Sequence, residues 1–142
     1  MIQVKRTLTV LSLLAVGAAA ACGGGAHAAR YIAANNALVG VGYASAGPVR
    51  QGTLEKGKDA RFRFEVEAGC FAWLVVGEGA LSDLDVALLS GAGEAIAKSD
   101  GGSRDAVVKA CVTAKGAYQV VIKGREAGDL LVAMYKGTAA TP

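Results

Sequence analysis

Residues 60–67 read Ala-Arg-Phe-Arg-Phe-Glu-Val-Glu, and this stretch decides the fold. In an extended chain Phe62, Phe64 and Val66 fall on one side, while Arg61, Arg63, Glu65 and Glu67 fall on the other. Such alternation marks a strand with one packed and one wet face, the usual condition of an antiparallel sheet.

Outward from this stretch the same period recurs. Val49 to Leu54 precedes it. Cys70 to Val76 follows and is apolar on both faces, which predicts a central strand. Leu84, Val86 and Leu88 alternate with Asp83, Asp85 and Ala87, and further strands are predicted over Glu94–Lys98, Ala106–Val112, Tyr118–Lys123 and Leu130–Tyr135. Glycines mark the turns between them, among them Gly57, Gly69, Gly91, Gly93, Gly101, Gly102 and Gly116. About eight short strands with no convincing helix predict two packed sheets, because one sheet alone cannot bury an apolar face. The expected fold is therefore all-β, an antiparallel sandwich of jelly-roll or immunoglobulin-like type over residues 49–137. Residues 138–142 read as a tail. Residues 29–48 are open between a linker and an edge segment: Tyr31-Ile32-Ala33-Ala34 suits a helix and Leu38–Tyr43 an edge strand, yet the glycines and Asn35-Asn36 suit a linker equally.

Residues 1–28 read as an export segment with a tether. Lys5 and Arg6 precede the uncharged apolar run Thr7–Ala21, which is followed by small residues. A run of about 15 residues is short for crossing ~30 Å of hydrocarbon. Two processing sites compete. Ala19-Ala20-Ala21-Cys22 resembles a bacterial lipobox, with Gly23-Gly24-Gly25 as a flexible tether; Ala26-His27-Ala28 resembles an ordinary signal-peptidase site. A cysteine at the end of the apolar run is the more selective signal, so lipidation of Cys22 is expected. The protein is then exported and periplasmic, either membrane-anchored or secreted. In both cases Cys70 and Cys111 remain as an even pair, which an oxidising compartment would join.

Net charge excludes little by itself. The chain has 15 Lys plus Arg against 12 Asp plus Glu, and without Lys5 and Arg6 the balance is 13 against 12. No basic cluster is interleaved with aromatic residues, so nucleic acid is not an expected partner. The stretch 82–102, Ser-Asp-Leu-Asp to Asp-Gly-Gly, raises the question of a metal site. Asp83 and Asp85 on one strand face, with Asp100 or Asp105 beside them, would offer oxygen ligands to calcium, although the calcium-loop pattern is missing. The plainer reading makes Asp83 and Asp85 the solvent face of an amphipathic strand. A glycosidase pair is disfavoured, since neighbouring carboxylates on one strand rarely flank a scissile bond.

Nucleophilic catalysis needs a base, and the sole histidine, His27, lies in the processing region. No Ser-x-x-Lys, Cys-x-x-Cys or complete phosphate-loop motif occurs. No enzymatic activity and no cofactor are expected, calcium apart. Trp73, Phe71, Tyr118 and Tyr135 form either a sugar-stacking platform or core, and the apolar strand around Trp73 favours core. Tyr118, starting a strand after a turn, is expected to anchor its hydroxyl on nearby backbone.

Four motifs in order carry a family resemblance: Gly52-Thr53-Leu54, Lys58-Asp59-Ala60-Arg61-Phe62-Arg63-Phe64, Asp83-Leu84-Asp85-Val86-Ala87-Leu88-Leu89, and Gly116-Ala117-Tyr118-Gln119-Val120-Val121-Ile122. Over about Gly52 to Tyr135 the chain resembles the bacterial pre-peptidase C-terminal domain. That resemblance implies a small β-sandwich serving secretion, folding or attachment rather than catalysis, with calcium in some collagen-binding relatives. The chain departs from the pattern in having no peptidase before the domain and in adding Cys70 and Cys111. The expected function is a non-catalytic binding or attachment module acting through loops at one sandwich end, on a protein or polysaccharide partner. Two alternatives are a structural envelope lipoprotein that joins a protein partner by an edge strand, and a calcium-dependent carbohydrate- or protein-binding module using Asp83 and Asp85.

Overall fold

The computed structural model describes residues 26–99 and 102–138. Cys22, most of the stretch read as an export signal, Asp100, Gly101 and residues 139–142 lie outside them. Among the described residues the chain forms one helix, α1 (Ala26–Gly40), and nine strands. These are β1 (Tyr43–Ser45), β2 (Arg50–Leu54), β3 (Ala60–Val66), β4 (Gly69–Gly77), β5 (Asp85–Leu89), β6 (Ala95–Lys98), β7 (Asp105–Val112), β8 (Gly116–Lys123) and β9 (Gly128–Gly137).

The pairing is nested. β5 pairs with β6, β4 with β7, β3 with β8 and β2 with β9, all antiparallel, so the chain behaves as one long ribbon folded back on itself. Two further pairings, β4 with β9 and β5 with β8, roll that ribbon into two sheets. Sheet A carries the order β1-β9-β4-β7, with β2 on β9 beside β1, and sheet B the order β3-β8-β5-β6. A rolled, doubled ribbon is the jelly roll, which decides between the two sandwich types the sequence left open.

β3 alternates as its sequence requires, with Phe62, Phe64 and Val66 buried and Arg61, Arg63 and Glu65 exposed. Between the sheets these side chains meet Leu54, Phe71, Trp73, Val75, Leu84, Val86, Val120, Ile122, Leu130 and Val132 in one core. Gly52 is dictated by this packing. A methyl group built on its Cα would lie 2.6 Å from Cζ of Phe62, so the ring needs a bare backbone opposite it. Arg50 closes the same margin, its guanidinium 5.6 Å from the Phe62 ring centre and 5.0 Å from that of Phe64.

The main departure from the sequence reading is α1, together with β1, in the stretch left open between linker and edge. The helix covers the outer face of sheet A, where Tyr31, Ala34 and Leu38 pack on Ala72, Leu74, Val76, Ala133 and Tyr135. β4 is therefore apolar on both faces for a specific reason: Phe71, Trp73 and Val75 face the inter-sheet core, and Ala72, Leu74 and Val76 face the helix. Polar contacts fix the helix in place. Tyr135 is fully buried and donates its hydroxyl to Asn35 Oδ1 at 3.0 Å. Arg30 Nε lies 2.9 Å from Asp105 Oδ2, and the same guanidinium donates to the Gly77 carbonyl. His27 Nδ1 pairs with Glu78, so the histidine belongs to the fold rather than preceding it.

Candidate functional site

With α1 on the outer face of sheet A, the outer face of sheet B is the free one. Residues there are set by strand register. Arg61 stands opposite Val121, Val121 opposite Ala87, and Ala87 opposite Lys98, so one row crosses all four strands as cation, aliphatic, aliphatic, cation. The next rung pairs Asp85 with Lys123. These residues, with Leu89, Ala95 and Ser99, line a concave groove of about 400 Å³.

The groove is electrostatically mixed but leans positive. Asp59 stands beside two of its cations, 3.6 Å from the Arg61 guanidinium and 3.8 Å from the Lys123 amine. Arg61 also donates weakly to Gln119 at 3.4 Å. Lys98 has no ion pair among the described residues. All three cations reach water, so they act as a screened field over a shallow aliphatic floor rather than as a buried charge site. Arg61 was legible in the sequence only as a solvent-facing arginine. Nothing local joins it to Lys98 and Lys123, because the row exists only once four strands from distant parts of the chain lie in register.

The aspartates do not share a strand face. β5 begins at Asp85, which is exposed on the groove side; Asp83 precedes it in a bend with φ 51°, a left-handed backbone that aspartate tolerates better than most residues. Its turn is held where Leu84 N–H donates to the Ser103 carbonyl at 2.9 Å and Val86 N–H to Ser99 Oγ at 3.0 Å. The strand pattern predicted from Asp83 therefore starts two residues late, because buried Leu84 belongs to the turn. Among the described residues no three or more His, Cys, Asp or Glu side chains gather as a metal would need, and Asp105 is engaged by Arg30. Asp100 and Cys22 lie outside the described residues.

The cysteine pair is joined as expected. Cys70 and Cys111 face each other across β4 and β7, with Cα atoms 3.9 Å apart, so the bond lies within sheet A rather than between the sheets. Trp73, Phe71, Tyr118 and Tyr135 are all buried, and the platform reading of these four rings fails for that reason. The Tyr118 hydroxyl donates to the Ala114 carbonyl at 2.8 Å, the backbone anchor anticipated for it.

A second, more polar cavity of about 340 Å³ lies by the start of the helix, lined by His27, Thr53, Glu78 and Asp129 among others. Its polar groups already serve one another: His27 pairs with Glu78, and Thr53 Oγ1 donates to Asp129 Oδ1 at 3.2 Å. No helix among the described residues is long and apolar enough to cross a membrane. The sequence matches no protein-family model and no curated protein.

Proposed function

We propose that the protein is a non-catalytic attachment module of the bacterial envelope, exported and held at a membrane by a lipidated Cys22, that grips an acidic region of a protein partner. The groove on sheet B carries this reading. Arg61, Lys98 and Lys123 surround an aliphatic floor of Val121, Ala87 and Leu89, which suits carboxylate-bearing chains with apolar side groups. A neutral glycan would need an exposed ring to stack upon, and no aromatic side chain lines the groove. The binding surface is the sheet B face rather than the loops at one end.

Export and anchoring draw support from two features. A disulfide fits an oxidising compartment. Cleavage before Cys22 keeps α1 whole, whereas cleavage after Ala28 would remove His27 and its contact with Glu78. Kinship with pre-peptidase C-terminal domains remains the favoured ancestry. Gly52-x-Leu54 on β2 and the Tyr118 anchor on β8 each have a packing reason in this fold, which is what a motif kept for structure requires.

The test is a photo-reactive residue at position 98, introduced into the full chain in its native envelope. Crosslinking to a defined protein partner is expected, with loss of the crosslink in Arg61→Glu/Lys123→Glu and in high salt. Crosslinks insensitive to both would reject the groove as the binding surface.

A further inference from the structure

We propose that the outward face of α1 is a membrane-docking surface, which lies on the bilayer interface when the protein is anchored; the inference rests on lipidation of Cys22. Three observations converge on it.

The first is the composition of that face. Positions 29, 32, 33, 36, 37, 39 and 40 point away from sheet A at helical spacing and are Ala, Ile, Ala, Asn, Ala, Val and Gly. None is charged, and the helix contains no acidic residue. Ile32 is 56% exposed and Val39 53%, one above the other along the helix, and Val41 just beyond its end is 67% exposed. Exposed aliphatic side chains stacked along one helix face, interrupted there only by Asn36, are normally covered by something. Here one side is buried by the sheet and the other is open.

The second is reach. Gly23, Gly24 and Gly25 alone separate Cys22 from the first residue of the helix. Four Cα steps span at most about 14 Å. An acylated cysteine in the headgroup layer would therefore keep α1 within one helix diameter or so of the same layer.

The third is charge. Of the acidic groups near the start of the helix, Glu78 and Asp105 are engaged by His27 and Arg30, and Asp129, on a strand of sheet A, accepts from Thr53 Oγ1. Lys109 stands on the outer face of sheet A over the Tyr43 ring, 5.4 Å from its centre, a cation suited to anionic headgroups. The helix-covered face would then meet lipid while the groove on sheet B, on the far side of the sandwich, faces the periplasm.

The experiment uses the lipidated protein purified from its membrane and reconstituted in vesicles of zwitterionic and anionic phospholipid. With Cys22 acylated and Cys70 bonded to Cys111, an introduced cysteine is the one to label. A fluorophore is attached in Ala33→Cys, and separately in Lys98→Cys on the opposite side, with spin-labelled lipid as quencher. Docking predicts strong quenching at position 33, none at 98, and loss of quenching at 33 in Ile32→Ser/Val39→Ser/Val41→Ser with the circular dichroism unchanged. Acylated Cys22 by intact mass, together with equal, weak quenching at both positions, would overturn the docking and leave the anchor standing. A mature mass starting at Ala29 would overturn both. Protection of the label at 33 in detergent-solubilised dimers would assign the face to a second copy and likewise overturn it.

Discussion

Replacing Cys70 and Cys111 together by alanine tests what the disulfide does. The two residues are 41 apart in sequence, and the segment between them contains β5, β6 and most of β4 and β7. In the chain-entropy description, opening a loop of that length releases about 4 kcal/mol of unfolded-state freedom at 25 °C. The native state changes far less. Cys111 is exposed and Cys70 half-buried, so little apolar burial is lost, and the other registered pairs of β4 and β7, from Phe71–Ala110 to Val76–Asp105, still hold the strands together. For a domain of about 110 residues, 4 kcal/mol corresponds to a fall in Tm of roughly 15–20 °C. The assay is thermal unfolding of the oxidised protein and the double-alanine variant, with thiol titration in denaturant to show that the former holds no free Cys70 or Cys111. A fall of less than about 4 °C, near 1 kcal/mol, would refute the reasoning: the unfolded chain would already be restrained in that region by other means.

Two further outcomes follow from particular contacts. Gly52→Ala forces a methyl group to within 2.6 Å of the Phe62 ring and is expected to destabilise the protein by about 1–3 kcal/mol, measured by urea unfolding. Gly116→Ala, whose added methyl meets nothing within 4 Å, serves as the control and is expected to stay within about 0.5 kcal/mol of the parent. Tyr135 has its hydroxyl pKa raised, first by burial and then by its hydrogen bond with Tyr31. Its contribution is thus fully present below the unfolded value near 10 and is lost as pH rises through the window above it, by up to about 1.4 kcal/mol per pH unit. Unfolding midpoints between pH 8 and 11.5 should fall more steeply for the parent than for Tyr135→Phe. Parallel curves would rule that linkage out.

How much of this was legible in the chain depends on the range of the interactions involved. Alternation in 60–66 depends on nearest neighbours along one strand, and so do the boundaries of the eight strands expected from Val49 onward, most of which fall within a residue or two of those observed. The disulfide was anticipated from composition, because Cys70 and Cys111 are the two cysteines that remain beyond the segment read as an export signal. Helix α1 was harder to see because alanines and aliphatics surround it, leaving almost no period to detect. Asp83 was misread as a strand residue because Leu84 is buried, and burial by a turn looks the same in sequence as burial by a strand.

By itself the sequence determined that the chain alternates and that it turns at its glycines, since both depend on residue type and short spacing, and composition alone offered Cys70 and Cys111 as a pair. Tertiary structure alone decided that the sandwich is a jelly roll, that one sheet is covered by a helix, and that Arg61, Lys98 and Lys123 share a groove. Those outcomes depend on which strand lies beside which, a choice made by packing between segments far apart in the chain and not recorded in any one of them.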